Sequence, residues 1–176
     1  MKNFKLNEKD ILSNQDWTFP TTTYYGPGRF NEIAKFCEEF DIKNPLIVTD
    51  SGSKDLPFIK KLIALLSKNN IKSDLFYNIS PNPRDDEISK GCDQFKNGSH
   101  DSIIAIGGGS AMDGGKSICL TVNSETPLWD FEFEKPVPKI TKENAFPKII
   151  TIPTTAGTGA ETEITAMVTH LEKGMK

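Results

Sequence analysis

Histidine and cysteine are scarce: 176 residues hold two of the first and three of the second. His100 and His170 are far apart and share no metal-ligand spacing. Cys37, Cys92 and Cys119 are odd in number and form no C-x-x-C pair, and each falls in a stretch of helical pattern. They read as buried free thiols, which places the chain in a reducing cytoplasm. No apolar run approaches the roughly 18–20 residues that span a bilayer. The start, MKNFKLNEKDILSNQDW, lacks the apolar segment of a signal peptide. A membrane partner is therefore not expected. Charge of one sign is also lacking. Twenty-one Lys and Arg stand against 24 Asp and Glu, a net −3. The basic residues are scattered, so a nucleic-acid partner is not expected either. There is no internal repeat and no low-complexity tract. At 36% hydrophobic and 26% charged, the chain reads as an ordinary globular protein, long enough for one core.

Strand and helix patterns alternate along most of it. Residues 1–20 read as a polar, irregular arm, and TTTYYG (21–26) as a short strand. After PGRF, Ile33, Phe36, Cys37 and Phe40 recur at helical spacing. PLIVTD (45–50) is a short apolar run of buried-strand type. Residues 58–70 form an amphipathic helix with Ile59, Leu62, Ile63 and Leu66 on one face. Residues 72–79 read as a strand and 85–97 as a helix carrying Ile88, Cys92 and Phe95. DSIIAI (101–106) is a strand, followed by a helix from about Ala111 to Val122. Residues 123–146 make a long irregular excursion whose Trp129, Phe131 and Phe133 read as a packed loop. KIITI (148–152) is another buried strand, and the end of the chain reads as a strand of a hairpin, with His170 in it and solvated. His100, in the polar turn NGSHDS, also reads as solvated. The alternation predicts βαβ units: an α/β fold with a Rossmann-like parallel sheet flanked by helices. Such sheets bind ligands at the carboxyl ends of their strands. Asp50, Asn82, Gly107–Ser110 and Thr154–Thr158 all follow predicted strands and are expected along one edge.

The stretch GGGSAMDGGKS (107–117) admits more than one reading. A phosphate site needs backbone N–H groups at a helix start, and glycines that let the ligand approach. A strand, then Gly107, Gly108, Gly109 and Ser110, then a helix supply that order. A turn with a Ser110/Asp113 capping pair and no ligand is the competing structural reading. The Walker A loop, G-x-x-x-x-G-K-[ST], fits poorly: Ser110 stands at the first Gly position and Asp113 would put a carboxylate inside the loop. On that view Lys116 is the phosphate ligand; otherwise it is only a polar helix position. The G-x-G-x-x-G pattern fails at Met112, and Asp50 precedes the loop rather than following it. A second loop, IPTTAGTGAE (152–161), offers the hydroxyls of Thr154, Thr155 and Thr158, with Thr158 and Glu161 in capping-box spacing.

Together the two loops are more specific than either. GGGSAMDGGK followed by PTTAGTGAE, with YYGPGRF, LIVTD and SPNP in the same order, resembles the iron-containing (group III, metal-dependent) alcohol dehydrogenase family. The resemblance covers roughly residues 20–176. It implies a dehydroquinate synthase-like N-terminal nucleotide-binding domain over 21–176, after the 1–20 arm. It also implies hydride transfer between a small alcohol or aldehyde and NAD. By position, Asp50 would bond the adenosine ribose and repel a 2′-phosphate, favouring NAD over NADP. Asn82 would line the cofactor channel. Gly107, Gly108, Gly109 and Ser110 would hold the pyrophosphate, with Asp113 beside the nicotinamide end. Thr154, Thr155 and Thr158 would form the second wall, and Lys176 stands where the family often has a cofactor-contacting Lys. Ala160 and Glu163 depart from common family residues.

The family's chemistry occurs at Fe2+ or Zn2+, held by one Asp and three His on a helical C-terminal domain. That set is absent from this sequence, so these 176 residues alone are not expected to turn over an alcohol. The resemblance also implies a homo-oligomer, a dimer, in which the strand at TTTYYG pairs between subunits. A related glycerol dehydrogenase, maleylacetate reductase or dehydroquinate-synthase-like enzyme, a non-catalytic nucleotide-binding module, and an ATPase using Lys116 are the alternatives.

Overall fold

A computed structural model describes residues 15–18, 21–139 and 145–174. Four parallel strands form the centre: β3 (Pro45–Asp50), β4 (Asp74–Ile79), β5 (Ser102–Gly107) and β6 (Lys148–Pro153), in the order β4-β3-β5-β6. A separate antiparallel hairpin pairs β1 (Gln15–Thr18) with β2 (Thr22–Tyr25). β1 lies inside the stretch read as an irregular arm, whose polar composition gave no strand signal.

Each of the two middle strands buries both faces, which is why both read as near-continuous apolar runs. Ile47, Ile104 and Ile106 face α1 (Ile33–Glu39) and α2 (Pro57–Lys68), meeting Ile33, Cys37, Ile59, Leu62 and Leu66. Leu46, Val48, Ile103 and Ala105 face the other way, toward α3 (Asp85–Asn97) and α4 (Gly109–Thr121). The expected α/β sheet flanked by helices is the observed fold. Pro57 opens α2, where its missing N–H costs nothing. Ile63, expected on the buried stripe of α2, is 37% exposed, because Ile59, Leu62 and Leu66 fill the stripe and leave it at the rim.

Glycines let α4 lie close against the sheet. A Cβ on Gly115 would sit 2.5 Å from the Ala105 Cβ, and one on Gly114 would sit 2.8 Å from Ile79 Cδ1. These contacts are closer than side chains allow, so both residues serve helix–sheet packing. α4 also starts earlier than expected. Its N-cap is Gly108, so Ser110 falls in the first turn and does not cap with Asp113. The Thr158/Glu161 capping box does not form either, since among the described residues no helix follows. Thr158 Oγ1 instead accepts the Ala160 N–H two residues on, at 3.2 Å, the local bond Thr often prefers.

Three further expectations fail. The end of the chain makes no hairpin strand among the described residues. Only Thr169 pairs, in an isolated parallel bridge to Arg84. Val168 packs into the core there while Ile164 is 89% exposed, so the segment buries single residues rather than one face of a strand. The histidines are not solvated. The His100 ring is enclosed, with Nδ1 3.0 Å from the Asn44 carbonyl oxygen and Nε2 3.3 Å from Asp74. His170 stacks on Trp129 at 4.8 Å, with Nδ1 3.5 Å from Asp85. Trp129 does pack on the core, but Phe133 of the same excursion is 88% exposed.

The three cysteines lie in helices and are unpaired, as expected. Burial pushes the Cys37 thiol up to about 11 and the Cys119 thiol up to about 12; Asp101 adds to the effect at Cys37. Among the described residues no helix is long and apolar enough to cross a membrane.

Candidate functional site

The carboxyl ends of β3, β5 and β6 meet at Gly107. This residue closes β5 opposite Pro153, and its carbonyl accepts the Thr154 N–H at 2.9 Å. Its φ is +147°, a region that favours glycine. A Cβ there would stand 2.7 Å from the Ala111 Cβ and 3.1 Å from Asp50 Oδ2. The next two glycines back onto the second loop. A Cβ on Gly108 would lie 3.4 Å from Thr155 Oγ1, and one on Gly109 would lie 3.1 Å from Thr158 Oγ1. Asp50 thus flanks the glycine loop on one side and Thr155 and Thr158 on the other. Thr154, Thr155 and Thr158 are exposed.

Asn82 joins the same edge through its backbone N–H, which donates to Ser110 Oγ at 3.3 Å. The turn that carries it, with Asn82 at φ +62°, is held by Glu87. That buried carboxylate accepts the backbone N–H groups of Ser80 and Arg84 and the Ser80 hydroxyl, at 3.0–3.2 Å. Asp50 has two attachments of its own. Its carboxylate accepts the Gly52 N–H at 3.0 Å and the Ser53 hydroxyl at 2.7 Å. It therefore shapes the turn after β3 while facing the glycine loop.

Behind this edge stands Thr49, fully buried, whose hydroxyl donates to the Ile106 carbonyl at 2.7 Å. It ties β3 to β5 where the ladder between them ends, and so fixes the gap between Asp50 and Gly107. The sequence reading missed it. A polar residue inside the apolar run PLIVTD was the available signal.

Lys116 is not in a loop. It sits in the second turn of α4, 3.3 Å from Asp113 Oδ1. Its ammonium donates to the backbone carbonyls of Glu163, at 3.3 Å, and Thr165. Gly114 and Gly115 are buried against the sheet, so the G-G-K stretch is packing followed by a clamp. The Walker A geometry is absent; Lys116 stands at a polar helix position, as the other reading has it, and is paired rather than incidental. The i, i+3 spacing of Asp113 and Lys116 was the signal for their pairing.

The first turn of a helix leaves backbone N–H groups without intrahelical partners. In α4 that turn begins at Gly109, the last of three glycines whose own Cα atoms present no side chain to block an approaching group. The arrangement suits an extended anion: amide donors at the middle, a carboxylate for a diol at one side, hydroxyls at the other. Of the residues expected at the site, Asp50, Asn82, Gly107, Gly108, Gly109, Ser110, Thr155 and Thr158 are brought together. Thr154 joins through its backbone, and Asp113 stands one turn along α4. Lys176 lies outside the described residues. A metal does not fit here: among the described residues no group of three or more His, Cys, Asp or Glu side chains is placed to hold one.

The sequence model described as iron-containing alcohol dehydrogenase matches residues 20–176. The chain is 31% identical to a choline dehydrogenase of Bacillus subtilis, over 97% of this chain and 42% of the relative. It is 31% identical to an NADH-dependent butanol dehydrogenase A of Clostridium acetobutylicum, over 92% of this chain and 40% of the relative. A crystal structure of sulfoacetaldehyde reductase from Bifidobacterium kashiwanohense in complex with NAD+ superposes with a TM-score of 0.75, at 28% identity. It covers 86% of this chain and 39% of that one. The chain thus spans about 40% of the length of the relatives it matches. With glycine loop, threonine loop and parallel sheet all inside the matched range, the chain belongs to the iron-containing alcohol dehydrogenase family.

Proposed function

We propose that this chain binds NAD along the carboxyl edge of its sheet, as the cofactor-holding part of an alcohol dehydrogenase. The observation that carries this is the glycine triplet at the end of β5, walled by Asp50 on one side and by Thr155 and Thr158 on the other. The named NADH dependence of one relative and the NAD+ complex of another support it. In this reading the backbone of Gly107, Gly108, Gly109 and Ser110 binds the pyrophosphate, with the start of α4 behind it. Asp50 accepts the ribose hydroxyls. Asn82 lines the channel, and Asp113 lies beside the nicotinamide end. Thr154, Thr155 and Thr158 form the second wall, with Lys176 a further contact.

When bound, the nicotinamide exchanges hydride with an alcohol or aldehyde. This chain's share is to bind and orient it. Among the described residues no group of three or more His, Cys, Asp or Glu side chains is placed to hold Fe2+ or Zn2+. In this reading the 176 residues alone hold the dinucleotide without turning over an alcohol. The reading also takes the protein as cytoplasmic and dimeric, with the β1–β2 hairpin pairing between subunits.

Asp50→Asn tests the assignment. Asparagine keeps an oxygen for the Gly52 N–H and places an NH2 that donates to the Ser53 hydroxyl, while removing the charge that repels a 2′-phosphate. The NADPH-to-NADH ratio of Kd values, from fluorescence titration, is expected to fall by about tenfold. An unchanged ratio removes Asp50 from the ribose site.

A further inference from the structure

We propose that Lys116 is a positioning residue of the dinucleotide cleft, holding Asp113 and the far end of the second wall on the helix that begins at the glycine loop. The proposal rests on the NAD reading above and adds to it a residue that touches no part of the cofactor.

A Lys ammonium has three donors. Lys116 has three acceptors within reach: Asp113 Oδ1 on its own helix and the backbone carbonyls of Glu163 and Thr165. Its side chain is 16% exposed and that of Asp113 is 14% exposed, so water competes weakly for the contacts. The segment it grips runs on directly from Thr154–Thr158 and belongs to neither helix nor strand. It is anchored on either side, by buried Ala160 before it and by buried Val168 and the Thr169–Arg84 bridge after it, but residues 163–165 have few ties of their own. Thr151 Oγ1 donates to the Glu161 carbonyl at 2.9 Å, and the N–H groups of Thr162 and Glu163 donate to the Gly159 carbonyl. Ile164, between the two gripped carbonyls, is 89% exposed and supplies no packing anchor. Lys116 is therefore the side-chain tie that fixes residues 163–165 to α4.

Two consequences follow for the cleft. The threonine wall is tethered to the helix whose start would face the pyrophosphate, which sets the width between them. The Asp113 carboxylate is also turned toward Lys116 and its charge is balanced, so it does not repel an anion at the same edge.

The test uses this chain with Lys116→Met and Lys116→Arg. NADH affinity is read by fluorescence titration, and the tether by the rate of glutamate-specific proteolysis after Glu163. Lys116→Met is expected to bind NADH about tenfold more weakly, and Lys116→Arg, which keeps the donors, within about threefold of the parent. Proteolysis after Glu163 is expected to speed up in the methionine variant. Saturating NADH is expected to slow it in the parent. A methionine variant that is cut faster but binds NADH like the parent makes Lys116 a structural tie only and overturns the proposal. So does an equal loss in both variants. If the methionine variant does not fold, Lys116→Gln replaces it with the same expectations. A parent chain that does not bind NADH defeats the cofactor reading itself, and this proposal with it.

Discussion

Replacing Gly107 by alanine is expected to cost about 2–4 kcal/mol of stability and to abolish measurable NADH binding. Two effects add. The backbone there, at φ +147°, is one that residues with a Cβ rarely adopt. The new methyl would also stand 2.7 Å from the Ala111 Cβ, which belongs to the first turn of α4 and cannot swing away. Relief requires moving either the glycine loop or the start of the helix, and those are the parts expected to hold the pyrophosphate. The Asp50 carboxylate, 3.1 Å from the same point, would be displaced as well. Thermal melting and NADH titration read the two effects separately. Ala111→Gly in the same chain is expected to restore part of the stability, because it removes the clash but leaves the backbone strain. A Gly107→Ala chain that melts and binds like the parent would show the loop to be wider than described.

Gly115→Leu is the second large effect, and it separates packing from phosphate binding. The Gly115 Cα lies against β5, and its Cβ would come 2.5 Å from the Ala105 Cβ, on a fully buried strand. No rotamer avoids that contact, so α4 must lift from the sheet. A loss of about 3–4 kcal/mol is expected in urea unfolding, above the usual range for overpacking because a helix rather than a side chain has to move. Were the G-G-K stretch a phosphate loop, the same change would mainly impair nucleotide binding and spare the melt. Gly91→Ala gives a milder comparison. Its Cβ would come 2.3 Å from Ile118 Cδ1, the tip of a flexible side chain that has other rotamers available.

The parts of the fold that were legible in the sequence are those where one face or one stripe has to be buried. PLIVTD and SIIAI are apolar because the middle of a parallel sheet meets helices on both sides, and both stand where they were expected. The convergence of Asp50, Gly107–Ser110 and the threonine loop was legible too, since it follows from strands running in one direction. The polar ends were not. Ser110-x-x-Asp113 and Thr158-x-x-Glu161 have capping-box spacing, yet neither caps, because the first turn of α4 begins at Gly109 and among the described residues no helix follows Thr158. His100 looked solvated in a polar turn. The carbonyl of Asn44 that encloses it comes from a residue distant in sequence. Lys116 looked incidental because two of its three partners, backbone carbonyls some way along the chain, carry no residue-type signal. Gly114 and Gly115 left a Walker A reading open, though a poor one, because a glycine that admits a ligand and a glycine that admits a neighbouring strand are written the same way.

The most direct measurement is a fluorescence titration of this chain with NADH, repeated with NADPH and with Mg-ATP as competitor. Saturable NADH binding, weaker for NADPH and indifferent to Mg-ATP, is the predicted result. It would make Gly107–Ser110 a dinucleotide loop with Asp50 beside it. Tight Mg-ATP binding with no NADH binding would contradict the account.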